Sequence, residues 1–221
     1  MIYLYTGTPG SGKSLNAARE IIKWITRVKR PVIGNFEFKA NAIKNRGWGS
    51  YLYCPNERLT PDFLIAFSEL YKKKRRLRRV PEEEILLIID ECQLLFNARE
   101  WNKPNRKEWN SFFTQHRKLG YHIILICQNK GMLDKQVRAL VEYEIMHRKI
   151  KNIGKLGWIF NFIALGGLHV MIKIYAPLNM KTGSEFFRSD KRLYALYDSY
   201  TRFEGGATDP VKGGAFGAES P

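Results

Sequence analysis

Eight consecutive residues near the start of the sequence, Gly7 to Ser14, have the spacing G-x-x-x-x-G-K-[ST]. Glycines at these positions allow backbone N–H groups to turn inward around a phosphate, and a helix that follows presents its positive end to the same anion. Lys13 is then expected to reach the β- and γ-phosphates of ATP and to assist catalysis, and the Ser14 hydroxyl is expected to ligate Mg²⁺. The residues predicted to surround the phosphates are Gly7, Thr8, Pro9, Gly10, Ser11, Gly12, Lys13, Ser14 and Leu15.

An acidic pair, Asp90-Glu91, follows five apolar residues from Ile85 to Ile89. Such a run predicts a buried parallel strand, and α/β proteins bind ligands beyond the carboxyl ends of these strands. We expect Asp90 to hold the Mg²⁺ shell and Glu91 to polarise the attacking water as a general base. The alternative interpretation is a pair of carboxylates that cap the next helix. A water-activating glutamate favours hydrolysis over transfer to a small molecule, because a kinase must exclude water.

A third polar position, Gln128, follows the apolar segment from His122 to Cys127. In hydrolytic P-loop proteins with an additional strand between the two motif strands, that strand delivers a polar residue to the γ-phosphate. The alternative interpretation of Gln128 is an amide that closes a strand-to-helix turn. Arginines from a neighbouring subunit often stabilise transition-state charge in oligomeric ATPases, and Arg117 and Arg138 are the candidates here. With 37 basic residues in the chain, solvation of the surface is the competing explanation for each.

These side chains must be positioned by alternating strands and helices, which predict a parallel α/β architecture. Residues 41–62, with two glycines and two prolines, are interpreted as a loop. The predicted strands are Ile2–Tyr5, Pro31–Asn35, Ile85–Ile89 and His122–Cys127, and the predicted helices are Leu15–Val28, Pro61–Arg79, Lys107–Lys118 and Met132–Val141.

The remainder of the chain has a different pattern. Two extended segments, Glu144–Ile150 and His169–Tyr175, are predicted to pair as a hairpin. We therefore expect one ATPase domain over residues 1–204, with an accessory hairpin at about 142–177, and a flexible polar tail over residues 205–221. Leu156 to Leu168 is the most apolar stretch, but a membrane span needs about 20 such residues, so a core or interfacial segment is favoured over a true span.

The composition limits the class of protein. At 221 residues and 44% apolar residues, the chain is long and apolar enough for one globular domain, which excludes a disordered chain. Its net charge of +16 favours polyanionic partners, either nucleic acid or an acidic membrane. The 3 cysteines form no disulfide framework, which indicates a reducing compartment, and the glycine-rich loop leaves no room before it for a secretory signal peptide.

The densest basic run, Lys72–Arg79, has two interpretations. Basic residues are common at helix ends, where they are simply solvated. The alternative, favoured by the overall charge, is contact with a DNA backbone or anionic lipid. Three aromatic residues in the preceding loop, Trp48, Tyr51 and Tyr53, are candidates for stacking on bases.

In combination, these segments resemble the zonula occludens toxin (Zot) family, which includes the filamentous-phage assembly ATPases of the FtsK/HerA group of P-loop motors. The resemblance covers about residues 1–150 well and the remainder loosely. The segments that carry it are Gly7–Ser14, Asn35, Ile88–Gln93, His116–Gly120, Ile123–Gln128 and Leu133–Arg138.

The resemblance implies a RecA-like P-loop NTPase with ATP and Mg²⁺ as cofactors, acting in the host cytoplasm to drive virion assembly and extrusion. Coat and assembly proteins and ssDNA are the implied partners, and we expect a homo-oligomer at, or anchored in, the inner membrane. Family members usually continue into a transmembrane helix, whereas this sequence is polar after residue 205.

Two rival functions remain from the sequence. One is a P-loop small-molecule kinase with the arginine-rich segment as its lid, against which Glu91 and Gln128 argue. The other is a DNA-packaging or DNA-binding protein with slow ATP turnover.

Overall fold

The computed structural model describes residues 1–43, 49–99, 105–150, 167–188 and 190–197. A single sheet runs through these residues, and its strands are β1 (Ile2–Thr6), β2 (Val32–Gly34), β3 (Tyr51–Tyr53), β4 (Ile85–Ile89), β5 (Tyr121–Ile126), β6 (Tyr143–Lys149), β7 (Leu168–Tyr175) and β8 (Met180–Arg188). The α-helices are α1 (Lys13–Lys23), α2 (Pro61–Lys74), α3 (Arg106–Gln115), α4 (Lys135–Ala139) and α5 (Lys191–Leu196).

The strand order across the sheet is β3-β2-β4-β5-β1-β6-β7-β8. Every neighbouring pair from β3 to β6 is parallel, whereas β6, β7 and β8 pair antiparallel. The expectation of an α/β P-loop fold with a mainly parallel sheet is confirmed. Strand β5 lies between β1 and β4, so the carboxyl ends of these three parallel strands lie side by side. Ligands of such folds bind beyond the carboxyl ends of the strands.

Helices cover both faces of the central strands. Successive residues of β4 point to opposite faces: Leu87 packs with α2 and α3, and Ile88 packs with α1. All five residues of β4 are fully buried, as expected for a parallel strand covered on both sides. This burial fixes the point at which the acidic pair leaves the sheet.

Part of the predicted loop 41–62 is a strand, and the loop interpretation was wrong there. Strand β3 pairs parallel with β2 at the edge of the sheet. It has only three residues, too few to show an alternating pattern. The Tyr51 hydroxyl donates to Phe36 O at 2.5 Å and its ring packs on Phe36 and Phe38, so Tyr51 contributes to the core. Tyr53 is exposed, and Trp48 lies outside the described residues.

Helix α2 begins as predicted and ends early. The Thr60 side chain accepts from Phe63 N–H at 3.2 Å, with Pro61 in the first turn, an arrangement that caps helices. The helix ends at Lys74 instead of Arg79, because Arg76 has a left-handed backbone with φ of 51°. Five consecutive basic residues repel one another and favour this early end.

The segment predicted as a helix over Met132–Val141 is divided. A 3₁₀ turn spans Lys130–Met132, and α4 then begins after Asp134, whose side chain accepts from Gln136 N–H at 2.7 Å. An aspartate inside a predicted helix acts here as the cap of a shorter one.

The predicted hairpin is confirmed, and it is extended by structure that the sequence did not indicate. Strand β6 pairs with β7, and β8 adds a third antiparallel strand. Within β8 only the Phe187 side chain is buried. Buried and exposed residues therefore do not alternate along this strand. Helix α5 then returns the chain across the sheet, where Tyr197 forms a β-bridge with Phe38.

Residues 151–166, which hold most of the apolar stretch, and the predicted tail 205–221 lie outside the described residues. Within the described ranges, no helix has both the length and the apolar character required to cross a bilayer. The division at residue 204 stays a prediction.

Candidate nucleotide-binding site

The glycine-rich loop joins β1 to α1 in the context that the sequence predicted. Gly7, Gly10 and Gly12 have φ values of 143°, 73° and 98°, a backbone region that other residues rarely adopt. A Cβ atom on Gly7 would overlap the backbone oxygen of His147, and one on Gly12 would lie 2.9 Å from His169 Nδ1. The loop therefore requires glycine for its conformation and for its close contact with β6 and β7.

Lys13 lies at the first position of α1 with its side chain folded into this loop. Its Nζ donates to Gly7 O at 2.6 Å and to Thr8 O at 3.2 Å. Lys13 is only 8% exposed, and burial lowers the pKa of its ammonium, while the nearby Asp90 and Glu91 carboxylates oppose that shift. An ammonium carries three N–H donors, and these two carbonyls take two of them among the described residues.

Two histidines support the back of the loop. His169 Nδ1 donates to Ser11 O at 2.9 Å, and His147 Nδ1 donates to Thr6 O at 3.3 Å. Because carbonyl oxygens only accept, Nδ1 carries the proton in both rings. Asn16 Nδ2 then donates to the bare His147 Nε2 at 3.2 Å. Burial lowers the pKa of His147 to about 4, so this ring is neutral near pH 7.

The acidic pair leaves β4 in a turn held by several hydrogen bonds. Asp90 N–H donates to Asn35 Oδ1, Glu91 N–H donates to Asp90 Oδ1, and the Tyr197 hydroxyl donates to Asp90 Oδ2. Burial raises the pKa of Asp90, and the hydrogen bond from Tyr197 partly offsets this. Both carboxylate oxygens of Asp90 are thus oriented by the protein.

Glu91 has a left-handed backbone, with φ of 46°. Non-glycine residues in this region carry backbone strain, which concentrates at functional sites. Gln93 Nε2 donates to Glu91 Oε2 and holds the carboxylate, which is half-buried. The turn thereby directs Glu91 away from the path that the strand would have followed.

Ser14 and Asp90 are suitable ligands for Mg²⁺, which prefers hydroxyl and carboxylate oxygens and is commonly held by one or two protein groups plus phosphate oxygens. Asp90 Oδ2 accepts from the Tyr197 hydroxyl, and the Ser14 side chain is near enough to lower the pKa of that phenol against the effect of burial, so both side chains lie near one point. The loop likewise fits a nucleotide phosphate, because Ser11 Oγ is buried without a hydrogen-bond partner in the described structure.

Gln128 lies beside the loop, whereas the two arginines do not contact it within the described residues. Gly7 N–H donates to Gln128 O at 3.2 Å, and the Gln128 side chain is exposed there. Arg117 pairs with Glu142 at 2.8 Å, near the amino ends of β5 and β6, whereas the loop lies at the carboxyl ends of the strands. Arg138 lies on α4, and its Nη1 donates to Lys130 O at 3.5 Å. Roles for both in a neighbouring subunit stay predictions.

A comparison with protein families identifies the chain. The family described as "Zonular occludens toxin (Zot)" matches residues 1–203. This chain belongs to the Zot family. The Gene 1 protein of Enterobacteria phage M13 is 29% identical over an alignment of 212 residues that covers 91% of this chain and 60% of that protein. The Zot-family chain therefore spans about 60% of the length of this curated relative.

Solved structures show the same fold as this Zot-family chain. The N-terminal domain of zonular occludens toxin from Neisseria meningitidis matches with a TM-score of 0.56 at 22% identity, over 89% of this chain and 98% of that one. The genome packaging NTPase B204 from Sulfolobus turreted icosahedral virus 2, in complex with ATP-gammaS, matches with a TM-score of 0.53 at 18% identity, over 86% and 97%. The fold is that of the P-loop NTPases.

Sequence reasoning missed three side chains that contact the site of this Zot-family chain: His147, His169 and Tyr197. The sequence indicated Asn35 because it follows the second strand, but it predicted no role for the side-chain amide of this residue. A motif search had no signal for these residues, because each is separated from the loop or the acidic pair by a long stretch of sequence.

Proposed function

We propose that this chain is the ATPase part of a motor for assembly and extrusion of filamentous phage. The single observation that carries the proposal is the placement of the buried Lys13 ammonium opposite the Asp90-Glu91 turn. The carboxylates of that turn are close enough to raise the pKa of Lys13 against the effect of burial. Phosphate-binding and water-activating groups thus face one site.

The proposed roles follow from this arrangement. Lys13 and the loop N–H groups bind the β- and γ-phosphates, and Ser14 with Asp90 holds the metal. When bound, Mg²⁺ neutralises charge on the phosphate oxygens. Glu91 accepts a proton from the attacking water, and Gln128, at the end of β5, contacts the γ-phosphate. The products are ADP and inorganic phosphate.

The motor role rests on the relatives, whose printed names are a phage Gene 1 protein and a viral genome packaging NTPase. Because the chain spans about 60% of the Gene 1 protein, the partners of the whole motor are proposals. We propose a homo-oligomer in the host cytoplasm, associated with the inner membrane, that works with phage coat and assembly proteins. Binding of ssDNA to the basic surface is part of the same proposal.

A second candidate, a DNA-packaging or DNA-binding protein with slow turnover, is favoured by the exposed basic residues in the last turn of α2 and just after it. Lys73, Arg76, Arg78 and Arg79 are all exposed. The small-molecule kinase is disfavoured, because the orientation of Glu91 by Gln93 suits activation of water.

The test measures phosphate release from ATP with Mg²⁺, with and without ssDNA, and again with AMP as an acceptor. We expect hydrolysis without transfer to AMP, and we expect Lys13→Ala to lose about 100-fold or more of it, as is typical when transition-state charge loses a fixed donor. Lys23→Ala, which removes an exposed ammonium from the same helix, is the matched control. Wild-type turnover in Lys13→Ala would contradict the assignment of the loop.

A further inference from the structure

Residues 190–197, which we call the carboxyl-terminal arm, place the Tyr197 side chain in the candidate metal site. The Tyr197 hydroxyl donates to Asp90 Oδ2, and the nearby Ser14 side chain lowers the pKa of the phenol against the effect of burial. Ser14 and Asp90 are the two side chains assigned to Mg²⁺, so a residue 107 positions from Asp90 reaches the candidate metal site.

The phenol oxygen of Tyr197 and a bound Mg²⁺ ion would compete for the same place beside Asp90. The Tyr197 hydroxyl lies within hydrogen-bond distance of Asp90 Oδ2. Mg²⁺ requires oxygen ligands at about 2.0–2.1 Å in near-octahedral geometry, so ligands on opposite sides of the ion are about 4 Å apart. A Mg²⁺ ion bound directly to Asp90 Oδ2 would need the space that the phenol hydroxyl fills, and the cation and the O–H donor would use the same lone pairs of Asp90.

Two backbone contacts and a few side chains attach the arm to the rest of the described fold. Its backbone meets the rest of the fold through the Tyr197–Phe38 bridge and the bond from Lys39 N–H to Leu196 O at 3.0 Å. The Tyr197 ring packs on Phe36 with ring centroids 4.8 Å apart. Among the arm side chains whose exposure the structure gives, that of Tyr197 alone is buried. Leu193 and Leu196 of the arm also pack, partly buried, against the core that contains Tyr197.

We infer that the Tyr197 hydroxyl and the metal–nucleotide complex bind Asp90 in mutual exclusion, so that nucleotide loading releases the carboxyl-terminal arm. The inference rests on the proposed nucleotide site and adds a regulatory element to it. A ligand that binds only the state with the arm released shifts the population toward that state, and the hydroxyl of Tyr197 raises the metal concentration needed to do so.

The first test compares Mg²⁺ titrations of the full chain in the presence of a ribose-labelled fluorescent ATP analogue. Since a hydrogen bond to a charged group is worth about tenfold in an equilibrium, Tyr197→Phe should lower the Mg²⁺ concentration at half-maximal binding by about 3- to 10-fold. Binding of the analogue in EDTA should be unchanged, because the metal is absent there. Tyr51→Phe, which removes a hydroxyl of the same aromatic cluster that donates to Phe36 O and not to Asp90, is the matched control.

The second test needs no variant. Adding Mg²⁺ with ATPγS should accelerate hydrogen exchange at the Lys39 amide, which bonds Leu196 O, and at the Tyr197 amide, which bonds Leu193 O. The Cys54 amide, bonded to Gly34 O at the edge of the sheet, reports any general change in the fold.

The outcomes of these tests distinguish a failure of this inference from a failure of the proposed function. A wild-type chain that binds no nucleotide overturns the proposed function and this inference together. Nucleotide binding with an unchanged or increased Mg²⁺ requirement in Tyr197→Phe, or slower exchange at Lys39 on loading, overturns the inference alone and makes Tyr197 a support for the metal ligand.

Discussion

The side-chain amide of Asn35 hydrogen-bonds both backbone groups of Asp90. Asn35 Oδ1 accepts from Asp90 N–H at 2.7 Å, and Asn35 Nδ2 donates to Asp90 O at 2.9 Å. Asn35 directly follows β2, the parallel neighbour of β4. Its side-chain amide therefore continues the hydrogen bonding between these two strands beyond their last backbone pair. The amide is buried at 1% exposure and holds the residue at which the acidic turn begins.

Asn35→Ala should loosen this turn. The change leaves the two backbone groups of Asp90 without their partner, which we expect to cost about 1–3 kcal/mol in the free energy of unfolding. Urea denaturation measures this cost, and Mg²⁺-dependent nucleotide binding should weaken in parallel. Asn56→Ala, which removes one hydrogen bond of 2.8 Å to Asn35 Nδ2, is the graded control and should have a smaller effect on both. Equal effects of the two variants would contradict a specific role for the Asn35–Asp90 contact.

Glu91→Gln should separate nucleotide binding from hydrolysis. Glutamine keeps the size of the side chain but does not accept the proton of water, so we expect Mg·ATP binding to persist and phosphate release to fall by about 100-fold or more. Asp90→Asn should behave differently, with weaker Mg²⁺-dependent binding as well as slower turnover. Equilibrium binding and single-turnover hydrolysis on the same samples distinguish these patterns. Near-normal hydrolysis by Glu91→Gln would exclude Glu91 as the general base.

The protonation of His147 should make the fold less stable in acid. Its pKa is lowered by burial from 6.5 to about 4, with the positive charge of Lys13 and of His169 acting in the same direction. The unfolded chain binds the proton more readily, so stability is full above pH 6.5 and falls as the pH decreases toward 4. The loss from this residue is at most about 3 kcal/mol.

Urea unfolding between pH 7 and pH 4 tests this expectation. His147→Gln retains an amide able to hydrogen-bond Thr6 O but does not titrate, so its stability should decline less steeply in that interval than that of the wild type. Parallel curves for the two proteins would show that His147 is not the group responsible.

The basic residues in the last turn of α2 and just after it should bind polyanions. Replacing Lys73, Arg76, Arg78 and Arg79 with alanine should weaken binding to ssDNA or anionic vesicles, and the logarithm of the affinity should depend less steeply on salt, by about 0.7 per lost phosphate contact for single strands. A control with the exposed Lys107, Lys118, Lys135 and Lys181 replaced removes the same charge elsewhere. Fluorescence anisotropy over a series of salt concentrations measures the affinity. An equal loss of affinity in the control would show that net charge, and not a localised site, is responsible.

The amino-acid sequence by itself determined the local parts of the site. The loop from Gly7 to Ser14 is contiguous, and its function depends on backbone conformations that neighbouring glycines permit, so spacing alone predicts it. The fully apolar strand β4 located the Asp90-Glu91 turn for the same reason, since burial on both faces requires an unbroken apolar run. The alternation of strands and helices was sufficient for the parallel core.

Only the tertiary structure decided which distant side chains complete that site. Tyr197 reaches Asp90 across 107 positions, and His169 reaches Ser11 across 158, through a sheet order that no local pattern records. Strands β3 and β8 were missed because one has three residues and the other buries few side chains, and both are held by pairing with a neighbour. A hydrogen bond between residues far apart depends on where the whole fold places them, and their spacing in the sequence carries no trace of it.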